Sequence, residues 1–105
     1  MNKVQIETHY ARVNMDIKVL STCCQWAIHR RYGRKQGWTL THAPSGYKCA
    51  SFNTLKRATR VLRGLEACKI AVRDHNDRDG LRHLGNALRL MGCTPGEHEK
   101  RQVTG

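Results

Sequence analysis

At 105 residues the chain is at most one domain, and its 19 Lys and Arg against 8 Asp and Glu leave a formal net charge of +11. With 39% hydrophobic and 26% charged residues it is too apolar to be disordered throughout, and it holds no apolar run long enough to span a membrane. So much uncompensated positive charge makes a compact state repel itself, and an anionic partner relieves that repulsion.

The first residues, Met1 to Gln5, lack the apolar stretch of a signal peptide. The five cysteines (Cys23, Cys24, Cys49, Cys68 and Cys93) are odd in number, which together with the missing export signal predicts reduced thiols. A cytoplasmic location and a bacterial or phage source are the expectation.

Val4, Ile6, Thr8 and Tyr10 alternate with Lys3, Gln5, Glu7 and His9, the period of a half-buried strand. Met15, Ile17 and Val19 alternate with Asp16 and Lys18, which predicts a second strand turning back on the first near Asn14. A short helix capped by Asp16 competes, since Ile17, Leu20 and Cys24 share one helical face. Alternation from Cys24 to Tyr32 predicts a strand with Trp26 and Ile28 inward. After the turn Gly33 to Gly37, Trp38 to Thr41 reads as the next strand. The turn Ala43-Pro44-Ser45-Gly46 then leads to a strand from Tyr47 to Phe52, with Ala50 and Phe52 inward.

Asn53 offers a helix N-cap, and Leu55, Ala58, Leu62, Leu65, Cys68 and Val72 follow helical spacing, predicting a helix from about 54 to 73. An acidic linker, 74–80, precedes a second helix capped by Asp77 or Asp79, with Leu81, Leu84, Leu88 and Met91 as its buried stripe and Gly92 at its end. Residues 93–105 read as a flexible tail behind a domain spanning 1–92. Strands first and helices last give an α+β fold: an antiparallel sheet of three to five strands with two C-terminal helices packed on one face. Trp26, Trp38, Phe52, Leu55, Leu62, Leu65, Leu84 and Leu88 are the expected core.

The stretch Trp38 to Ala67, preceded by Trp26-Ala27-Ile28, carries Ala50-Ser51-Phe52-Asn53-Thr54 and then Ala58. This resembles the integrase-type DNA-binding unit, a three-stranded sheet backed by one helix. The family's glycine is Ala50 here, and Lys56-Arg57 stands in place of an acidic first helical turn. The Trp38, Thr41-His42 and Pro44-Ser45-Gly46 pattern also resembles hairpins of small phage proteins. The resemblance implies DNA binding by the sheet's outward residues, Gln25, His29, Arg31, Thr39, Thr41 and Tyr47, since a sheet can enter the major groove.

Two basic clusters stand out beside that. Arg30, Arg31, Arg34 and Lys35 gather around one turn, placed to meet phosphates or to remain solvated loop charges. Lys56, Arg57, Arg60 and Arg63, with Lys69, gather along the first helix. Lys56-Arg57-Ala58 resembles the basic helical turn of double-stranded RNA-binding domains, a family that begins with a helix where this chain reads as a strand. A solvated helix face explains the same stripe.

Metal and catalytic signals are thin. Placing Gly80 at a calcium loop's invariant glycine puts His75 and Asn86 where Asp and Glu are needed. Asp74-His75 with Asn86 resembles part of an HNH nuclease, without the second metal-binding histidine. Cys23 and Cys24 would point to opposite faces of a strand, and Cys93 with His98 is a lone pair. Cys68 reads as a small core residue, and His42 as a residue bonding within its turn. No cofactor, metal or catalytic residue is expected. The leading expectation is a non-enzymatic nucleic-acid-binding protein for DNA or RNA. The alternative is a phage inhibitor of host defence, of the anti-CRISPR kind, docking on an acidic protein or ribonucleoprotein complex. A nuclease fragment ranks third, and no membrane role is expected.

Overall fold

A computed structural model describes residues 3–8, 11–23, 25–73 and 76–93. Lys3–Glu7 (β1) and Arg12–Asp16 (β2) form an antiparallel hairpin, a two-stranded sheet of its own. Lys3 faces Asp16 and Glu7 faces Arg12, so an ion pair at each end supports the register. The turn falls at Thr8–Ala11, where Thr8 Oγ1 accepts the Ala11 N–H at 3.0 Å. It does not fall near Asn14, which lies mid-strand opposite Gln5. Turning early sets Val13 against Ile6 and Met15 against Val4, which brings both apolar sets to one face.

The chain then bends into Val19–Leu20 (β3), a short edge strand rather than a helix. With Trp26–Arg30 (β4), Trp38–His42 (β5) and Tyr47–Phe52 (β6) it builds a four-stranded antiparallel sheet in the order β3-β4-β5-β6. The β3–β4 turn is closed by Ser21, whose hydroxyl accepts the Trp26 N–H at 3.0 Å. That bond starts β4 at Trp26, two residues later than the alternation implied, with Cys24 outside the described residues.

The sheet has two unlike faces. Trp26, Ile28, Leu40, Ala50 and Phe52 point to one side, against Leu55–Ala67 (α1) and Arg78–Leu90 (α2). All eight expected core residues lie in this cluster or pack on it. Trp26, Phe52, Leu62, Leu65 and Leu88 are fully buried, and each contributes about 1.5–3 kcal/mol by leaving water. On the other side Ala27 meets Val4 and Ile6 of the hairpin. The molecule is therefore a helix layer, a four-stranded sheet and a small hairpin that covers part of the far face: an α+β fold.

Helix α1 is capped by Thr54, one residue past Asn53; its hydroxyl accepts the Arg57 N–H at 3.2 Å. It ends at Ala67, six residues short of the expected stop. Lys69 adopts φ 56°, the Lys69 N–H bonds Glu66 O and the Ile70 N–H bonds Leu65 O, which is a Schellman closure. Cys68 is thus the exposed C-cap, not a core residue. Helix α2 is capped by Asp77, which accepts the N–H of Gly80 at 3.1 Å and of Arg73 at 3.0 Å. These two bonds hold the Asp77 carboxyl below its usual pKa. Leu84 and Leu88 are buried and Leu81 is exposed. Cys93 is not in a tail: it is buried in the main core, so the packed unit reaches at least that residue. The tail expected over 94–105 lies outside the described residues, as do Asp74 and His75 with the calcium-loop and nuclease readings. No helix among the described residues is long and apolar enough to cross a membrane.

Candidate functional site

The hairpin covers only part of the sheet face it packs on. Around Ala27 the contact is apolar. Farther along β4, β5 and β6 the same face turns polar: His29 faces Thr39, and Thr39 faces Ser51. These side chains, with Thr41, floor a cleft of about 720 Å³. One wall is β1 and its turn, through Ile6, Glu7 and Thr8. The opposite wall is Arg31, Tyr32 and Arg34 from the β4–β5 turn. Tyr47 and Lys48 complete the rim. Tyr32 and Tyr47 are among the few large aromatic or apolar side chains left exposed, at 54% and 45%.

The floor is a hydrogen-bonded layer. His29 Nδ1 lies 2.6 Å from Arg30 O, so it carries the proton and donates. Its Nε2, 2.7 Å from Thr41 Oγ1, accepts the hydroxyl. Burial lowers the His29 pKa from its ordinary 6.5, outweighing the carbonyl bond that favours the proton, so the ring is neutral at pH 7. Thr39 and Ser51 share one hydroxyl–hydroxyl contact at 3.4 Å. A shared contact uses one of their two protons and leaves the second to be donated elsewhere.

Two local devices aim the charges. Gly37, at φ 96°, has no Cβ to strike the Arg31 stem, which therefore lies across it toward the cleft. The Arg34 N–H bonds Arg31 O at 3.2 Å, closing the turn so that the two arginines stand on the same wall. Desolvation, and after it the Arg34 charge, lower the Arg31 pKa. On β6 a bulge between Leu40 and Thr41 sets Lys48 opposite Thr41 and leaves Cys49 as the extra residue. Lys48 thereby reaches the cleft and Cys49 enters the core, where burial pushes its thiol up to about 12 and keeps it protonated.

No protein family, curated protein or solved structure matches this chain.

The expected site residues separate into three groups on this frame. His29, Arg31, Arg34, Thr39 and Thr41 come together at the cleft. His29, Thr39 and Thr41 are buried at 1%, 6% and 1%, so the sheet face expected to be open is recessed beneath the hairpin and the rim. A flat docking of that face in a major groove is thereby closed off. Arg30 and Lys35 belong elsewhere. Arg30 extends on the helix side of the sheet, its guanidinium 4.2 Å from the Trp38 ring centroid, and Lys35 is exposed in the turn without lining the cleft. Lys56, Arg60 and Arg63 lie on the outer surface of α1, and Arg63 pairs with Glu66 at 2.9 Å.

Arg57 leaves the basic stripe altogether. Its guanidinium turns inward to donate to Met91 O at 2.9 Å and Gly92 O at 3.5 Å, tying the end of α2 to α1. Gln25 is a brace as well, accepting the Val72 N–H at 3.3 Å. His42 bonds Ser45 within its turn, as expected, and also the Val72 carbonyl across the molecule. Sequence reasoning missed Lys48, Ser51, Tyr32 and the β1 wall. Lys48 needed the bulge, the β1 wall needed the tertiary placement of the hairpin, and Tyr32, which shares the inward parity of Trp26 and Ile28, needed β4 to end at Arg30, while Ser51 carried a readable signal as an outward position of a strand already assigned. Among the described residues no cluster of His, Cys, Asp or Glu could hold a metal ion.

Proposed function

We propose that this protein binds nucleic acid without catalysis, and that it does so through the cleft side of the sheet. The observation that carries this reading is the convergence of Arg31, Arg34 and Lys48 with Tyr32 and Tyr47 around one concavity. The only acidic residue on its lining, among the described residues, is Glu7, which is paired with Arg12. Cations on a rim meet phosphates, and exposed aromatic rings stack on bases; the combination is what nucleic acid offers and an acidic protein surface does not. The charge of +11 adds long-range attraction to the same partner.

The test is a salt titration of binding to fluorescent oligonucleotides, DNA and RNA, single-stranded and duplex. Affinity should fall linearly in log–log form, by about 0.7 per phosphate neutralised on single strands. Negligible binding to all four, with tight capture of an acidic protein or ribonucleoprotein complex, would move the assignment to the inhibitor class.

A further inference from the structure

We propose that the cleft is a pocket for one unpaired nucleotide, taking the base against the hydroxyl floor and its phosphate between Arg31 and Arg34. The inference rests on the nucleic-acid reading and narrows it to single-stranded or extruded bases. Its first support is recession. The floor residues are almost fully buried, below a hairpin on one side and Arg31, Tyr32 and Arg34 on the other. A base inside a duplex exposes only an edge in a groove, whereas an unstacked base can be inserted whole.

The second support is the chemistry of the floor. A phosphate or carboxylate presents acceptors alone, and a floor for it would present donors alone. This floor presents both. The Thr39 and Ser51 pair keeps one O–H to donate. Thr41, having given its proton to His29, keeps lone pairs that accept. Base edges carry donors and acceptors side by side, which is the matching pattern. The neutral, doubly bonded His29 ring fixes the Thr41 hydroxyl, so the pattern is set before a ligand arrives.

The third support is the division of labour at the rim. Arg31 and Arg34 stand close enough to repel one another, and a phosphate between them turns that repulsion into two attractions. The volume of about 720 Å³ falls in the range of small-ligand sites.

The experiment titrates the whole chain with the four ribonucleoside and deoxyribonucleoside monophosphates, with inorganic phosphate and with uncharged nucleosides, read by amide chemical shifts. At least one mononucleotide should bind about tenfold tighter than either phosphate or its own nucleoside, and shift the amides of Thr39, Thr41 and Ser51. In a Thr39→Val/Ser51→Ala variant that advantage over phosphate should shrink to about threefold or less, with phosphate binding retained. Ser51→Ala alone serves the same purpose if the double variant does not fold. A mononucleotide no tighter than phosphate, or a hydroxyl variant with an undiminished advantage, overturns the pocket. If oligonucleotides still bind with a steep salt slope in that case, the nucleic-acid reading survives and the pocket does not; if neither oligonucleotide nor mononucleotide binds, both fall.

Discussion

Arg57 and His29 show how a residue type can mislead about its role. In sequence Arg57 falls among Lys56, Arg60 and Arg63, yet its guanidinium bonds the Met91 and Gly92 carbonyls at the end of α2. Its Nε is buried with no partner among the described residues, which offsets part of that gain. Both bonds come from the one nitrogen Nη2, which stands a bond farther from Cα than a lysine Nζ, so lysine keeps the charge but not the reach. We expect Arg57→Lys to lower stability by about 1–2 kcal/mol in urea unfolding, and to leave oligonucleotide affinity of the folded protein unchanged. His29 gives a pH signature. Its folded pKa is depressed, so on acidification the unfolded chain takes up a proton near the ordinary value of 6.5 before the folded one does. The unfolded state then binds more protons, and stability falls as pH drops below that value, levelling once the folded ring protonates. Glu66 and Asp77, whose pKa values are held low chiefly by backbone N–H bonds from Thr22 and Arg73, add losses in the same direction at lower pH. Urea unfolding between about pH 7 and pH 5 should show this fall in the parent and a shallower one in His29→Gln.

At the scale of elements, the hairpin β1–β2 both shields the sheet and builds a wall of the cleft. It is seated on the β5–β6 turn, where the Glu7 N–H bonds Gly46 O at 2.9 Å. A Cβ on Gly46 would lie 2.5 Å from the Gln5 carbonyl oxygen, and the residue already sits at φ 80°. Gly46→Ala therefore meets steric and backbone strain together. We expect it to destabilise by about 2 kcal/mol and to speed amide exchange in β1 and β2 ahead of the main sheet. Oligonucleotide affinity should fall with it, because the Glu7 and Thr8 wall moves. The order of elements was readable from period and turn chemistry, since Trp26, Leu40 and Phe52 mark the inward positions and Pro44 to Gly46 marks the turn. The end of α1 and the register of β6 were not. Lys69 occupies the left-handed position after α1 without the glycine that usually announces it, so Val72 looked like a continuation of the helical stripe. The β6 bulge, which period-two alternation cannot show, moved Lys48 from the core side to the cleft. His29, Thr39, Thr41 and Ser51 were legible as outward positions, but not their burial, because that depends on where a hairpin from the other end of the chain comes to rest.

Over the whole molecule, cations stand on more than one side. Arg31, Arg34 and Lys48 lie on the cleft side, while Lys56 and Arg60 lie on the outer surface of α1, with the sheet and helix between them. The molecule is 24 Å across at its thinnest, and screening at physiological salt acts over about 8 Å, so the two sides do not share one local field. If net charge alone drove binding, removing two cations from either side would cost the same. If the cleft is the site, the sides are unequal, because only there do aromatic rings and a polar floor accompany the charges. Arg31→Gln/Arg34→Gln should weaken single-strand binding and flatten the salt slope by about 1.4, the value expected when two fewer phosphates are neutralised. Lys56→Gln/Arg60→Gln, equal in charge removed, should leave the slope within about 0.3 of the parent. Fluorescence anisotropy from about 50 to 200 mM salt reads both. Equal flattening by the two variants would mean that binding follows the overall field rather than the cleft, and the +11 charge would then act as a diffuse attractor with no defined seat.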